Sequence, residues 1–167
     1  MVETPSIPVA LALGSNLGDR LGSLQRAVKA LAACVDVKAM SKVYETPAAY
    51  ILDQPVFLNA VVAGTTKLEP LPLLWAVKNI EREIGRTPTF RFGPRVIDID
   101  IIYYGDVILE TPELTLPHAR MHERPFVLKP LSDVAPEWTH PKIGKTVAEM
   151  LTLLPNCEMT DLGRLLS

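Results

Sequence analysis

The sequence lacks the features that mark secreted, membrane-spanning or metal-cluster proteins. It has two cysteines in 167 residues, Cys34 and Cys157, and neither belongs to a CxxC pair or another metal-ligand spacing. An acidic residue and a proline lie near the N-terminus, where a signal peptide would be basic. The apolar run that follows is too short to span a bilayer. We therefore expect a cytoplasmic protein with reduced thiols and no membrane association.

An excess of positive charge is also missing. The chain has 17 Lys and Arg against 19 Asp and Glu, so its formal net charge is −2, and aromatic residues make up only 6%. Because nucleic-acid-binding domains usually present a basic surface, we expect no nucleic-acid partner, and any anion site must be local. The hydrophobic fraction of 48% is that of an ordinary globular protein. We expect residues 1–167 to form one domain that acts as a monomer.

Hydrophobic periodicity predicts the element order β-α-β-β-α-β. The first helix is expected to follow an Asp19 cap, and the second to begin near Pro70 and end at Gly85. A short strand at Val107–Leu109 and a last helix at Thr146–Leu154 would follow. The expected main strands are Ile7–Leu13, Val35–Tyr44, Val56–Thr66 and Val96–Tyr104. This order predicts a ferredoxin-like α+β sandwich with C-terminal additions.

The most informative pattern is RFGPRVIDIDIIYYGD, which contains two aspartates inside an apolar, β-branched run. Because side chains alternate along a strand, Asp98 and Asp100 should point to the same face. The residues expected to point into the core are Ile97, Ile99, Ile101 and Tyr103. Two carboxylates near Arg95 suit a magnesium-bound phosphate chain. The same alternation also describes a half-buried strand with one wet face, and the strand alone supports both interpretations equally.

Two further segments could contact phosphates. The segment GSNLGDR opens the first helix, where backbone amides can hold an anion, although a tight turn capped by Asn16 or Asp19 is favoured. The segment PHARMHERPF carries four basic side chains: His118, Arg120, His122 and Arg124. Prolines at both ends disfavour a long helix that carries zinc ligands. A polyphosphate cradle is therefore the preferred interpretation of this segment.

A loop and a strand complete the candidate site. Arg86, Arg91 and Arg95 surround a Gly-Pro pair and could close over transferring phosphates, although most such loops are simply solvated. Asn59 lies in an apolar strand, where a buried amide needs hydrogen-bond partners. A planar heterocycle that stacks on Phe57 could supply them, and backbone groups of the core could do so equally well.

Together these segments resemble one enzyme family. GSNLGDR, YETP with DQPVFLNAVV, RFGPRVIDIDII and LPHARMHERPFVLKPL occur in this order between Val9 and Trp138. They are similar to segments of the 6-hydroxymethyl-7,8-dihydropterin pyrophosphokinase family. This resemblance implies a ferredoxin-like fold and an ATP-dependent diphosphotransferase of folate biosynthesis. Such an enzyme transfers pyrophosphate from ATP to a reduced hydroxymethylpterin and leaves AMP.

The resemblance also implies a role for each site residue. Asp98 and Asp100 would hold two magnesium ions between ATP and the pterin, and Arg86 and Arg95 would be catalytic arginines on a mobile loop. The expected contacts to the co-substrate ATP are Glu81, Arg95, His118 and Arg124. The expected pterin contacts are Thr46, Pro47, Phe57, Asn59, Phe92 and Phe126. Phe92 stands where the family usually has tryptophan, so it offers a smaller π face and no indole donor.

Two other classes of protein share parts of the pattern. A palm-like nucleotidyltransferase or cyclase also uses paired strand aspartates with two metals, but it would release pyrophosphate rather than AMP. A ferredoxin-like RNA-binding module would need a basic sheet with exposed aromatic residues. The net negative charge and the IDID strand argue against that module.

Overall fold

A computed structural model of the chain describes residues 5–46, 56–85, 96–155 and 159–166. The strands are β1 (Ile7–Ser15), β2 (Asp36–Met40), β3 (Lys42–Thr46), β4 (Phe57–Thr66), β5 (Asp98–Tyr104), β6 (Leu109–Glu110), β7 (Thr115–Leu116) and β8 (Thr160–Arg164). The α-helices are α1 (Arg20–Leu31), α2 (Pro70–Ile84), α3 (Pro125–Val134) and α4 (Val147–Thr152). A 3₁₀ turn at Met121–Glu123 precedes α3. None of the helices in these ranges combines the length and apolarity that a membrane crossing requires.

Six of the described strands form one sheet with the order β5-β1-β4-β3-β8, and β2 pairs with β4 beside β3. β1 runs antiparallel to both β4 and β5, and β3 runs antiparallel to β4. Apart from the division between β2 and β3, the first part of the chain follows the expected β-α-β-β-α-β order. The predicted ferredoxin-like α+β fold is therefore confirmed.

The ends of the first two helices follow from local chemistry. The Asp19 carboxylate accepts a hydrogen bond of 3.0 Å from the backbone N–H of Gly22, which caps α1 as predicted. Pro70 occupies the first turn of α2, where it sacrifices no hydrogen bond. Gly85 ends α2 with a φ of 112°, a left-handed conformation that favours glycine.

The sheet separates two apolar clusters. One cluster packs α1 and α2 against the sheet through side chains such as Leu24, Leu31 and Val77. The other packs α3 and α4 against the opposite face through Leu128, Leu131 and Met150. The candidate site lies on this second face, because its residues share that side of the strands.

An extra residue in β5 changes the predicted alternation. Leu11 of β1 pairs with Ile101, but the adjacent Ala10 pairs with Tyr103, so Ile102 is a bulge residue. Ile97, Ile99 and Ile101 lie in the cluster with α1 and α2, as predicted. The prediction that Tyr103 joins them is wrong, since Tyr103 packs in the cluster with α3 and α4. Its ring stacks on Trp138 with a centroid distance of 4.3 Å.

Other boundaries also differ from the sequence predictions. The single strand expected at Val35–Tyr44 is divided into β2 and β3 at Ser41. The Ser41 hydroxyl accepts a hydrogen bond of 2.8 Å from the Val61 N–H and so replaces one backbone contact of the ladder. The short strand expected at Val107–Leu109 instead spans Leu109–Glu110 and pairs with β7. The last helix is confirmed near its expected position, with Thr146 as its cap.

Candidate active site

Strand register places the candidate residues in two rows across the sheet. In the first row, Tyr44 pairs with Asn59, Asn59 with Gly14, and Gly14 with Asp98. In the second row, Ala12 of β1 lies between Val61 and Asp100. Directly paired residues project to the same face, so the amide of Asn59 and both aspartates share one surface. Because neighbouring strands are about 4.8 Å apart, the backbones of Asn59 and Asp98 are separated by roughly 10 Å.

The two aspartates form an electrostatically unfavourable pair. Burial of the carboxyl group, followed by the charge of Asp98, raises the pKa of Asp100 to about 7. Glu81 adds to this rise, whereas the positive charges of Lys78 and Arg124 oppose it. The pair therefore favours a proton or a cation between its oxygens.

This donor set fits magnesium better than a metal that requires a complete protein cage. No group of three or more His, Cys, Asp or Glu side chains able to hold a metal occurs within the described ranges. Mg²⁺ is commonly bound through one or two carboxylates, with waters and substrate phosphates as its other ligands. Asp98 and Asp100 could supply that pair of carboxylates on the face predicted from the sequence.

His118 and Arg124 are brought to the aspartates by the segment before α3. The backbone N–H of His118 donates a 2.8 Å hydrogen bond to the Ile102 carbonyl, which fixes this segment against β5. Burial, with the nearby charge of Arg124, lowers the pKa of His118 to about 4, although Asp98 opposes this. His118 is therefore neutral near pH 7 and would act on an anion as a hydrogen-bond donor. Arg124 supplies a permanent positive charge.

Glu81 has a structural contact that the sequence did not predict. Its residue surface is only 1% exposed, and Oε2 accepts a 2.8 Å hydrogen bond from the Ile99 N–H. Oε1 lies 3.2 Å from Nζ of Lys78, which is one turn earlier in α2. Ile99 lies between the two aspartates in β5. The hydrogen bond from its N–H to Glu81 therefore attaches the strand that carries the aspartates to α2. Its proposed contact with ATP stays a prediction.

A signal for this buried role was present in the sequence. Glu81 is four residues after Val77, so helical spacing places it on the buried face of α2. A carboxylate on that face requires a hydrogen-bond donor or a positive charge. The structure supplies both, through Ile99 and Lys78.

We expect Glu81→Ala to destabilise the fold, because it removes the acceptor of the buried Ile99 N–H. The unsatisfied group should lower the free energy of unfolding by about 1–3 kcal/mol. Glu81→Gln is the matched control, since its amide oxygen can still accept that hydrogen bond. Urea denaturation of both variants measures the difference. Equal midpoints for Glu81→Ala and the unmodified protein would show that the contact contributes nothing to stability.

Three of the predicted pterin contacts, Thr46, Phe57 and Asn59, lie together on β3 and β4. Asn59 Nδ2 donates a 2.6 Å hydrogen bond to Thr46 Oγ1, and these residues are 8% and 2% exposed. Thr46 pairs with Phe57, whose ring is partly exposed on the same face. Phe126 is in the first turn of α3, with the Arg124 guanidinium 5.6 Å from its ring centroid. The site thus combines an amide and aromatic surfaces with the carboxylate pair.

The structure narrows the interpretation of Asn59. Within the described part of the chain, its side-chain amide has one hydrogen-bond partner, the Thr46 hydroxyl, and not the backbone group expected of an ordinary core asparagine. Oδ1 is thus available to accept from a ligand. Four predicted site residues lie outside the described ranges: Pro47, Arg86, Phe92 and Arg95. The loop Arg86–Pro94 also lies outside them.

Comparison with known proteins identifies a family that matches most of the chain. Residues 10–136 match the family model described as 7,8-dihydro-6-hydroxymethylpterin-pyrophosphokinase. A protein of Aquifex aeolicus named 2-amino-4-hydroxy-6-hydroxymethyldihydropteridine pyrophosphokinase is 39% identical over 152 residues. That match covers 89% of this chain and 95% of the relative.

Other relatives are much longer. Folic acid synthesis protein FOL1 of Dictyostelium discoideum is 45% identical over 148 residues, which cover 89% of this chain but 22% of that protein. The mitochondrial folate synthesis bifunctional protein of Pisum sativum is 46% identical over 134 residues, with coverage of 80% and 26%. The chain thus spans about a quarter of the length of these relatives.

Solved structures support the fold. The wild-type HPPK-DHPS of Plasmodium falciparum with STZ-DHP superposes with a TM-score of 0.72 at 17% identity. The superposition covers 90% of this chain and 43% of that one. At this identity the likeness concerns the fold alone.

Proposed function

The chain belongs to the 7,8-dihydro-6-hydroxymethylpterin-pyrophosphokinase family, and we propose that it transfers pyrophosphate from ATP to 6-hydroxymethyl-7,8-dihydropterin. The products would be AMP and the pterin diphosphate. The observation that carries this proposal is the strand register, which places the amide of Asn59 and the carboxylate of Asp98 on one face. A ring read by the amide could therefore present its hydroxymethyl group to the aspartate pair.

At the pterin end, Oδ1 of Asn59 would accept a hydrogen bond from the ring edge. Thr46 would hold the amide in orientation through its 2.6 Å contact with Nδ2. Phe57 and Phe126 would contribute aromatic surface, with Pro47 and Phe92 assigned from the family resemblance. Aromatic stacking combined with directional polar contacts is the usual way to bind a flat heterocycle.

At the phosphate end, Asp98 and Asp100 would hold two Mg²⁺ ions. When bound, these ions would lower the pKa of the pterin hydroxyl and neutralise charge on the phosphates. Arg124 would add positive charge, neutral His118 would donate a hydrogen bond, and Lys78 stands close enough to influence Asp100. Arg86 and Arg95 are assigned to phosphate contact by the resemblance, as is the ATP contact of Glu81.

The proposed reaction is an in-line attack of the pterin hydroxyl on the β-phosphorus of ATP. The new bond joins the hydroxyl oxygen to the β-phosphorus, the hydroxyl proton passes to an aspartate or to water, the bond from that phosphorus to the α-phosphate bridging oxygen breaks, and AMP leaves. The role of the protein would be to align the two substrates and stabilise the developing charge. A covalent intermediate on the enzyme is not required.

We further propose that residues 1–167 act as one domain, as a monomer in the cytoplasm. Cys34 is a free thiol, as expected for a reducing compartment. The relative from Pisum sativum is named as mitochondrial, so the compartment must be tested directly.

Product identification tests the activity. We expect incubation with ATP, Mg²⁺ and the reduced hydroxymethylpterin to yield AMP and pterin diphosphate in equal amounts, resolved by anion-exchange chromatography. Omission of the pterin is the control and should leave ATP intact. Release of inorganic pyrophosphate, with AMP attached to an acceptor or cyclised, would instead assign a nucleotidyltransferase or cyclase.

A further inference from the structure

A glycine occupies the centre of the first row of the site. Gly14 lies in β1, between Asn59 on one neighbouring strand and Asp98 on the other. Its φ is not in the left-handed region, unlike that of Gly85 at the end of α2. Glycine within a strand is unfavourable relative to alanine, because it loses more backbone entropy and packs no side chain. The backbone of β1 therefore does not explain this residue.

The side chains packed over Gly14 explain why this position is a glycine. A Cβ atom at this position would lie 3.2 Å from Oδ1 of Asn59 and 3.6 Å from Cδ1 of Phe57. The three nearest atoms all belong to these two side chains, and none belongs to the backbone. The first distance is too short for an unstrained contact, so the amide would have to move by a few tenths of an ångström. A side chain at position 14 would thus disturb mainly the proposed pterin contacts.

Position 14 also lies on the path between the two ends of the site. The rows span roughly 10 Å from Asn59 to Asp98, with Gly14 midway. Any side chain there would project between the amide that reads the ring and the carboxylate that faces the phosphates. A flat substrate that lies close to the sheet requires a residue without a projecting side chain at this midpoint.

We propose that Gly14 is a positioning residue that determines pterin binding. It lets the Phe57 ring and the Asn59 amide lie close to the sheet, and so sets the height at which a bicyclic ring is held relative to Asp98. This inference rests on the proposed function. It adds a determinant of substrate recognition that makes no polar side-chain contact of its own.

Gly64 offers a matched comparison within the same sheet. It lies in β4 and pairs with Val9 of β1, as Gly14 pairs with Asn59. A Cβ at Gly64 would overlap the carbonyl oxygen of Asp36 in β2. That obstacle is backbone, which cannot move aside cheaply. Gly64 is therefore required by the approach of β2, whereas Gly14 faces two side chains of the site.

The test compares Gly14→Ala with Gly64→Ala in the full chain. Isothermal titration would measure the affinities for the reduced hydroxymethylpterin and for ATP with Mg²⁺, and a thermal melt would measure stability. For Gly14→Ala we expect the pterin Kd to rise by at least about tenfold. The ATP Kd should be unchanged and the melting temperature equal or higher. For Gly64→Ala we expect a lower melting temperature and an unchanged pterin Kd below the transition.

Each other outcome has a definite meaning. If Gly14→Ala binds the pterin as the unmodified protein does, the inference is wrong and the proposed function stands. A Gly14→Ala protein that melts early, fails to fold or loses both ligands equally would make Gly14 structural and would also overturn it. If the unmodified protein itself does not bind the pterin, the proposed function fails and the inference fails with it.

Discussion

Replacement of Asp100 by asparagine is expected to abolish turnover and yet stabilise the metal-free protein. The substitution keeps the size of the side chain but removes one of the two charges that would hold Mg²⁺. Metal ions contribute several kcal/mol of charge stabilisation in such transfers, so kcat should fall by about 10³-fold or more. Steady-state assays at saturating ATP and pterin would measure this loss. An Asp100→Asn enzyme with near-normal activity would refute the metal-site proposal.

The stability change follows from the raised pKa of Asp100. The folded protein holds this proton up to pH of about 7, whereas the unfolded chain releases it near the ordinary aspartate pKa. In metal-free buffer Asp100 should therefore contribute a loss of stability as pH rises from about 4 to about 7, whereas His118, whose pKa is lowered to about 4, contributes a gain over much of the same interval in both proteins. Asp100→Asn lacks this loss, so its advantage in melting temperature should grow over that interval and then level off. Equal pH profiles for the two proteins would contradict the assignment.

Replacement of Asn59 by leucine is expected to weaken pterin binding while ATP binding is retained. Leucine has a similar volume but no amide, so the ring edge would be buried without its partner. The cost of about 1–3 kcal/mol for an unsatisfied group corresponds to a Kd that rises by roughly tenfold or more. Calorimetric titration with each substrate would separate the two affinities.

Thr46→Val is the matched control for Asn59→Leu. It removes the hydroxyl that accepts from Nδ2 of Asn59 but leaves the amide in place. Both variants lose the same internal hydrogen bond, so both should lose about 1 kcal/mol of stability. Because Thr46 orients the amide, Thr46→Val should also weaken pterin binding, but by less than Asn59→Leu, which removes the amide itself. If the two variants bind pterin equally well and melt equally early, Asn59 is a structural residue.

The sequence predicted the parts of the site that depend on local periodicity. Asp98 and Asp100 share a face because strand alternation is a local property, and the bulge lies beyond them at Ile102. The turn at Gly85 and the cap at Asp19 were likewise readable, since each depends on one residue: the left-handed conformation of the glycine and the side-chain hydrogen bond of the aspartate. The identity of the pterin and ATP contacts came from the family resemblance and not from these patterns.

The remaining features depend on contacts between distant segments. The bulge arises from the register between β5 and β1, so the placement of Tyr103 could not be read from alternation. β8 has the polar sequence TDLGR and becomes a strand through pairing with β3. The sequence did not predict α3 because the segment contains Pro125 and Pro130. Pro125 lies in the first turn, where a proline costs no backbone hydrogen bond. The significance of Gly14 emerges only when its two neighbouring strands are known.

The extra residue Ile102 changes which positions of β5 face each side of the sheet. Before it, odd-numbered positions face α1 and α2; after it, the even-numbered Tyr104 does so while Tyr103 faces α3. With the present number of residues, a regular strand without the bulge would turn one half of β5 to the wrong apolar layer: either the aspartates would face inward or the tyrosines would exchange layers. Deletion of Ile102 would instead give a regular strand in which the aspartates and both tyrosines keep their present faces, because Ile101 and Tyr103 already pair with the adjacent residues Leu11 and Ala10. The deletion should therefore remove the packing of one buried side chain and leave the two faces of β5 unchanged.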